Sequence, residues 1–309
     1  MKLSLITAQQ QSYQSMSIDK NQPDAVGTSF ILRASCVAAR GIVAAVTSVL
    51  FEKGCYLNEM SQFDDRESGR FFMRAHAQVQ VGASTLDEIR EALIPVAERF
   101  GIDWSIHNAD TPVKVLLMVS KFDHCFDDLL YRHHKGELPM EITAVVSNHR
   151  DLRPMAEREG LRFIYLPVTK ENKREQEVRL MEIVEETGTE LVVLARYMQI
   201  LSDNLCKQLR GRAINIHHSF LPGFKGAKPY HQAYERGVKL IGATAHYVTA
   251  DLDEGPIIEQ AVQVVDHSYS PDALVAVGRD TETIALSKAV KLHVEHRVFL
   301  DGNKTVVFK

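Results

Sequence analysis

Hydrophobic and polar positions change period several times along this chain, and the changes mark out its elements. Residues 29–35 (SFILRAS) read as a strand, and residues 41–51 place apolar side chains at the three- and four-residue spacing of a helix face. Residues 56–63 and 70–81 read as two strands either side of an Asp-Asp-Arg-Glu-Ser-Gly turn. A helix opens at Ser84 and ends near Phe100, and residues 102–107 close the set as a strand. This βαββαβ order is that of a ferredoxin-like unit.

Thr111-Pro112 marks a junction, because proline restricts its predecessor to extended backbone and a continuous apolar strand follows at 113–119. Further strands are expected at 142–146, 163–166, 191–195, 213–217 and 241–248, with helices such as 152–159 and 173–186 between them. Alternating β and α elements predict an α/β fold with a Rossmann-like open, mostly parallel sheet covered by helices on both faces. A long helix over 271–296 and a hairpin over 298–308, turning at Asp301-Gly302-Asn303, read as structural. The expected organisation is a loosely ordered extension at 1–27, a first domain at 28–108, a linker at 109–112 and a second domain at 113–309.

Composition narrows the partners. With 45% hydrophobic and 25% charged residues the chain can build a sizeable core. Its 36 Lys and Arg against 40 Asp and Glu give a net charge of -4, so neither nucleic acid nor an anionic membrane is expected, and the partner is a small molecule. Cys36, Cys55, Cys125 and Cys206 are too scattered for a zinc or redox pair and read as reduced thiols of a cytoplasmic protein. Neither a signal peptide nor a bilayer-spanning stretch is recognisable.

The candidate chemistry sits after two of the predicted strands. Asn215, His217 and Asp253 offer an amide donor, a proton carrier and an acid to orient it, the requirements for moving a formyl group through a tetrahedral oxyanion. Each alone is weak, since a buried histidine is more often a hydrogen-bonded core residue than a catalyst. Ligands of open α/β sheets bind beyond the carboxyl ends of the strands, where His217 and the residues after Val248 fall, so the two motifs can meet.

The segment INIHHSFLPGFKG, at 214–226, resembles the signature of enzymes that use 10-formyltetrahydrofolate, and TADLDEGPIIEQ, at 249–260, resembles the second half of their site. From about residue 28 to 309 the chain most closely resembles the formyltetrahydrofolate deformylase family, through GIVAAVTSVLFEKGC, GRFFMRAHAQ, MVSKFDHC, LVVLARYMQILS, AVGRDTETIALSKAV and GNKTVVF. The resemblance implies an ACT-like first domain and a formyltransferase-like second domain. It also implies hydrolysis of 10-formyltetrahydrofolate to formate and tetrahydrofolate in one-carbon and purine metabolism, with the folate as substrate and neither cofactor nor metal. The folate is expected against Arg196, Met198, Gln199, Ile200, Leu201, Thr249, Asp251 and Glu254, with its formyl carbon facing His217. Met198, Ile200 and Leu201 could equally pack the sheet edge, and Asp251 could simply cap its turn.

Two features set the chain apart from formyl-transferring relatives. Ser120-Lys121-Phe122-Asp123-His124-Cys125 stands where glycinamide ribonucleotide transferases place a Gly-rich phosphate loop, and its bulky residues would keep a backbone from cradling an anion. His218 stands where the transferases usually carry proline; it is a candidate contact for water or the formyl group, or else a loop histidine bonded to backbone. The methionyl-tRNA formyltransferases are disfavoured by the slightly acidic balance and by the end of the chain soon after its long helix. His124 and His149 are scattered, and the adjacent His133-His134 pair at a polar, Lys-rich helix end points in different directions, so these histidines read as solvated side chains and not as metal ligands. An ACT-like domain implies a homo-oligomer and an amino-acid effector; here Cys36-Val37-Ala38-Ala39-Arg40-Gly41 replaces the family's Cys-Pro-Asp run, which puts effector binding in question. The alternatives left open are transfer of the formyl group to an unidentified amine and a folate or amino-acid sensor without catalysis.

Overall fold

A computed structural model describes residues 27–219, Leu221 and residues 229–309. All but the last residue of the expected 1–27 extension therefore lies outside the described residues, as do Phe220 and residues 222–228 of the first motif. The first unit runs β1 (Ser29–Val37), α1 (Ile42–Glu52), β2 (Cys55–Asp65), β3 (Arg70–Val79), α2 (Leu86–Phe100) and β4 (Asp103–Asn108). Its four strands form an antiparallel sheet in the order β2-β3-β1-β4, the ferredoxin-like arrangement. α2 starts two residues later than its sequence pattern predicts, at Leu86, because Thr85 caps it: the Thr85 hydroxyl accepts from Glu88 N–H while the Glu88 carboxylate accepts from Thr85 N–H.

The second unit contains β5 (Val113–Val119), α3 (His124–His134), β6 (Met140–Ser147), α4 (Arg153–Arg158), β7 (Phe163–Tyr165), α5 (Lys173–Thr187), β8 (Leu191–Leu194), α6 (Asp203–Gln208), β9 (Ala213–His217), α7 (Pro229–Glu235), β10 (Leu240–Tyr247), β11 (Ile257–Val264), α8 (Pro271–Val294), β12 (Val298–Asp301) and β13 (Lys304–Val307). Seven strands form one sheet in the order β11-β10-β9-β8-β5-β6-β7. The run from β9 to β7 is parallel, while β10 is antiparallel to β9 and β11 to β10. The continuous apolar run of β5 follows from burial on both faces. Val115, Leu117 and Val119 pack with Phe126 and Leu129 of α3 and Ala285, Leu286 and Ala289 of α8, whereas Leu116 and Met118 pack with Leu180 and Ile183 of α5. β11 was not anticipated, because its apolar residues are interrupted by Glu259, Gln260 and Gln263 and it lies at the sheet edge.

The terminal hairpin joins the two units. In the first sheet Phe30, Leu32 and Ala34 face α1 and α2, so Ile31, Arg33 and Ser35 point the other way. Arg33 pairs directly across from Arg74, a repulsive register unless other groups intervene. The C-terminal segment supplies them: Arg33 donates to the Val298 carbonyl and its guanidinium lies 4.4 Å from the Phe299 ring centroid, while Arg74 donates to the Glu295 carbonyl and to Glu59. Phe299 meets Phe72 and Phe308 edge to face, and Arg297 and Lys304 pair with Glu59 and Asp65. Among the described residues no helix is long and apolar enough to cross a membrane.

Candidate active site

β5 lies between β6 and β8, and the chain leaves it first toward β7 and then returns toward β9, so a crevice opens at the carboxyl ends of β5 and β8. The candidate residues gather beside it. His217 is the last residue of β9 and is 5% exposed; Asn215 lies two residues earlier and therefore on the same face. Asp253 arrives from the turn after β10, where its backbone adopts φ 57°, a left-handed conformation that Asp tolerates better than most residues. The turn brings Asp253 Oδ2 to 3.2 Å from His217 Nδ1. Burial alone would raise the Asp253 carboxyl, but the bond to His217 and the imidazoles of His217, His246 and His218 outweigh it and hold the group below its ordinary range.

His246 escaped the sequence reading. It pairs with Asn215 in the antiparallel β9–β10 register, and that pairing sets both side chains on one face. Its Nδ1 donates to the Tyr247 carbonyl at 2.9 Å, which leaves Nε2 as an acceptor 3.3 Å from Asn215 Nδ2 and 3.8 Å from Asp253 Oδ1. Burial lowers the His246 imidazole and keeps it neutral, as that tautomer requires. The Asn215 amide is thereby oriented, its NH2 toward His246. Gly255 makes the arrangement possible, since a Cβ there would overlap the Tyr247 carbonyl oxygen and crowd His246 Nδ1. Had β9 and β10 been aligned as partners from the sequence, the pairing of His246 with Asn215 would have been visible.

A cavity of about 400 Å³ adjoins the trio. Arg196, Met198, Gln199, Ile200, Leu201 and Thr249 line it together with Asn215, His217, His218 and Asp253. Tyr197, Val248, Ala250 and Leu252 line it as well, so its wall is largely apolar with a few convergent polar groups, the character of a small-molecule site. Asp251 and Glu254 do not: they line a separate cavity of about 270 Å³ between the same turn and the terminal hairpin. Met198 N–H donates to the Ser120 hydroxyl, which itself donates to Asn148, so the segment after β8 is tied to the end of β5.

His218 is held between His217 and Tyr230, with ring centroids at 5.2 and 6.2 Å. Burial first, and the Arg196 charge second, push its imidazole down to about 4, so it is neutral near pH 7. His124, Cys125 and Glu282 bring potential ligand atoms within 4.8 Å of one another. Arg196 and Tyr230 also converge on that carboxylate, however, and burial holds the Cys125 thiol well up, so the cluster is an ion-pair network closed around Glu282.

Comparison with known proteins points to one family. The family model for formyl transferase matches residues 113–290. A formyltetrahydrofolate deformylase of Corynebacterium sp. strain P-1 is 52% identical over 279 residues, 90% of this chain and 98% of that protein. The crystal structure of a formyltetrahydrofolate deformylase from Burkholderia mallei superposes with a TM-score of 0.88 at 54% identity, covering 91% of this chain and all of that one. A glycinamide ribonucleotide transformylase from Symbiobacterium toebii is more distant, with a TM-score of 0.60 and 27% identity over 66% of this chain and 97% of that one.

Proposed function

The chain belongs to the formyltetrahydrofolate deformylases, enzymes that hydrolyse 10-formyltetrahydrofolate to formate and tetrahydrofolate, and we propose that Asn215, His217 and Asp253 carry the reaction. The observation that carries this reading is the 3.2 Å contact between His217 and Asp253 at the mouth of the 400 Å³ cavity. The folate lies in that cavity against Arg196, Met198, Gln199, Ile200, Leu201 and Thr249; Asp251 and Glu254, on the far side of the turn, shape the loop. Water attacks the formyl carbon. As the C–O bond forms, a water proton passes to the neutral His218, and the carbonyl electron pair becomes an oxyanion stabilised by the Asn215 amide and by protonated His217. Collapse of the oxyanion breaks the C–N bond, the electron pair goes to the amine nitrogen, and His217 supplies its proton. Asp253 keeps the His217 ring oriented and stabilises its charged form. Only side chains of this chain enter these steps; neither cofactor nor metal takes part.

The first unit acts as an ACT-like assembly module at 28–108, joined through 109–112 to the catalytic unit at 113–309. Its edge strand β2 exposes Tyr56, Met60 and Phe63, which supports pairing with a second copy into a homo-oligomer. Four free thiols fit a cytoplasmic protein. Equilibrium dialysis with glycine and methionine tests whether an amino-acid effector binds, and saturable binding of either would refute a purely structural role. The deciding assay for the activity is formate release from 10-formyltetrahydrofolate by purified protein without any acceptor, beside the His217→Ala variant. Formate from the wild type alone is the expected result; near-normal hydrolysis by His217→Ala would remove His217 from the mechanism. Formyl transfer that requires an added amine would instead establish a transferase.

A further inference from the structure

Glu282 is 1% exposed in the middle of α8, an apolar environment in which an unpaired carboxylate is not tolerated. Three partners from three other segments converge on it. His124 Nε2, at the start of α3, lies 2.7 Å from Oε2; the Tyr230 hydroxyl on α7 donates to Oε1 at 2.8 Å; and Arg196 Nε, after β8, lies 3.3 Å from Oε2, an ion pair whose N–H is not aligned for a hydrogen bond. Burial would raise the carboxyl, but these partners, His124 foremost, hold it low and ionised. Gly278, one turn earlier on α8, gives Tyr230 its place, because a Cβ there would overlap the phenol ring.

The network ends at the reaction site. Arg196 and His218 line the folate cavity, whereas His124, Tyr230 and Glu282 do not; they touch its wall from behind. The Tyr230 ring packs against that of His218, and the charges acting on His218 are those of Arg196, Glu282, His217 and Asp253. Arg196 opposes a proton on His218 and Glu282 favours one.

We propose that Glu282 is a positioning residue for the hydrolysis: through Tyr230 it fixes the His218 ring, and its charge offsets the one His218 gains on taking a proton from the attacking water. This inference rests on the assignment of His218 as the acceptor of that proton. The covalent chemistry is unchanged; Glu282 stabilises the state in which the water C–O bond is forming and its proton sits on His218. Since Glu282 does not line the cavity, it acts on turnover and not on folate binding.

A double-mutant cycle on the full chain tests this, with kcat and KM for formate release measured for wild type, Glu282→Gln, His218→Asn and the double variant. Glu282→Gln is expected to lower kcat about 10-fold with KM unchanged, and to have no further effect in the His218→Asn background, the non-additivity of residues that act through one another. The His218 imidazole, followed by NMR through the resonance that His218→Asn removes, should titrate lower in Glu282→Gln. Equal losses from Glu282→Gln in both backgrounds, or an unmoved His218 titration, would overturn the proposal while leaving His218 in place. Full turnover by His218→Asn would instead remove the assignment on which it rests. Should Glu282→Gln fail to fold, Tyr230→Phe, which deletes only the hydroxyl, is carried through the same cycle, with an expected loss of about 3-fold in kcat that likewise disappears in the His218→Asn background.

Discussion

Replacing Asp253 with Asn separates the charge of the His217 partner from its shape. Asn is isosteric and is one of the few residues at ease with φ 57°, so the turn and the 3.2 Å approach to His217 should survive. What disappears is the attraction between the carboxylate and an imidazolium. At 3.2 Å and an effective dielectric constant near 20, that attraction is about 5 kcal/mol, a ceiling because the amide oxygen still accepts from Nδ1 and because His246 and His218 share the field. Taking roughly 2–4 kcal/mol as the loss felt in the transition state gives a fall in kcat of about 30- to 1,000-fold. Initial-rate formate assays across a range of folate concentrations would read it. Asp253→Ala serves as the control for the backbone: it should lose as much activity and, in addition, roughly 1–2 kcal/mol of stability for a left-handed Ala. An Asp253→Asn enzyme within 3-fold of wild-type kcat would refute the claim that the charge of Asp253 supports His217.

Four further outcomes follow from the same geometry. Asn215→Ala removes the proposed oxyanion donor and should cost roughly 100- to 1,000-fold in kcat by the formate assay. Gly255→Ala forces a Cβ onto the Tyr247 carbonyl and should cost roughly 1–3 kcal/mol in urea melts, with loss of activity as His246 and Asn215 shift; a normal melt would show that this turn is looser than described. Phe299→Ala empties the contact with Phe72 and Phe308 and should cost roughly 3–5 kcal/mol by chemical denaturation if the hairpin braces the first sheet. Because the folded state depresses the Asp253 carboxyl, its contribution is complete above an unfolded value of roughly 3.9 and is lost as pH falls through the lower folded value. Wild type and Asp253→Asn should therefore differ in stability at pH 6, keep that difference down to about pH 4 and converge only as pH falls through the lower folded value.

Much of the site was legible because its residues stand in two compact motifs at strand ends, and the topology only had to bring those ends together. Asn215, His217 and Asp253 meet as expected. Two classes of residue could not be found that way. His246 is a single histidine in an apolar strand, and its role exists only in the register that pairs it with Asn215. Glu282 lies in a helix whose charged residues would otherwise read as a solvated face, and its partners Tyr230 and His124 lie 52 and 158 positions away, farther than any local pattern reaches. Asp251 and Glu254 stand apart for a different reason: Asp253 between them is left-handed, and these two neighbours line another cavity. In the first unit the strand pattern predicted the sheet but not what covers its second face, since the carbonyls of Val298 and Glu295 that accept from Arg33 and Arg74 lie more than 200 residues away.

Backbone strain gives these separate observations a common cause. Among the described residues, the non-glycine positions with positive φ are Arg196, Asp253 and His296. The first two carry the charges that face His218 and His217, and each left-handed residue costs roughly 1–2 kcal/mol against its relaxed form. Each is held by an ion pair with a buried partner, Arg196 by Glu282 and Asp253 by His217. The third sits where the units meet, its ring stacked on His107 at 3.7 Å. The interactions that set the electrostatics of the site are thus also those that hold its strained turns in place. Glu282→Gln removes the charge near His218 but keeps the shape of the side chain and an oxygen for Arg196, so the turn that carries Arg196 should stand and the effect should fall on His218. The loss caused by Glu282→Gln should therefore vanish in the His218→Asn background, whereas a loss that persists there would mark Glu282 as a mere support of the turn.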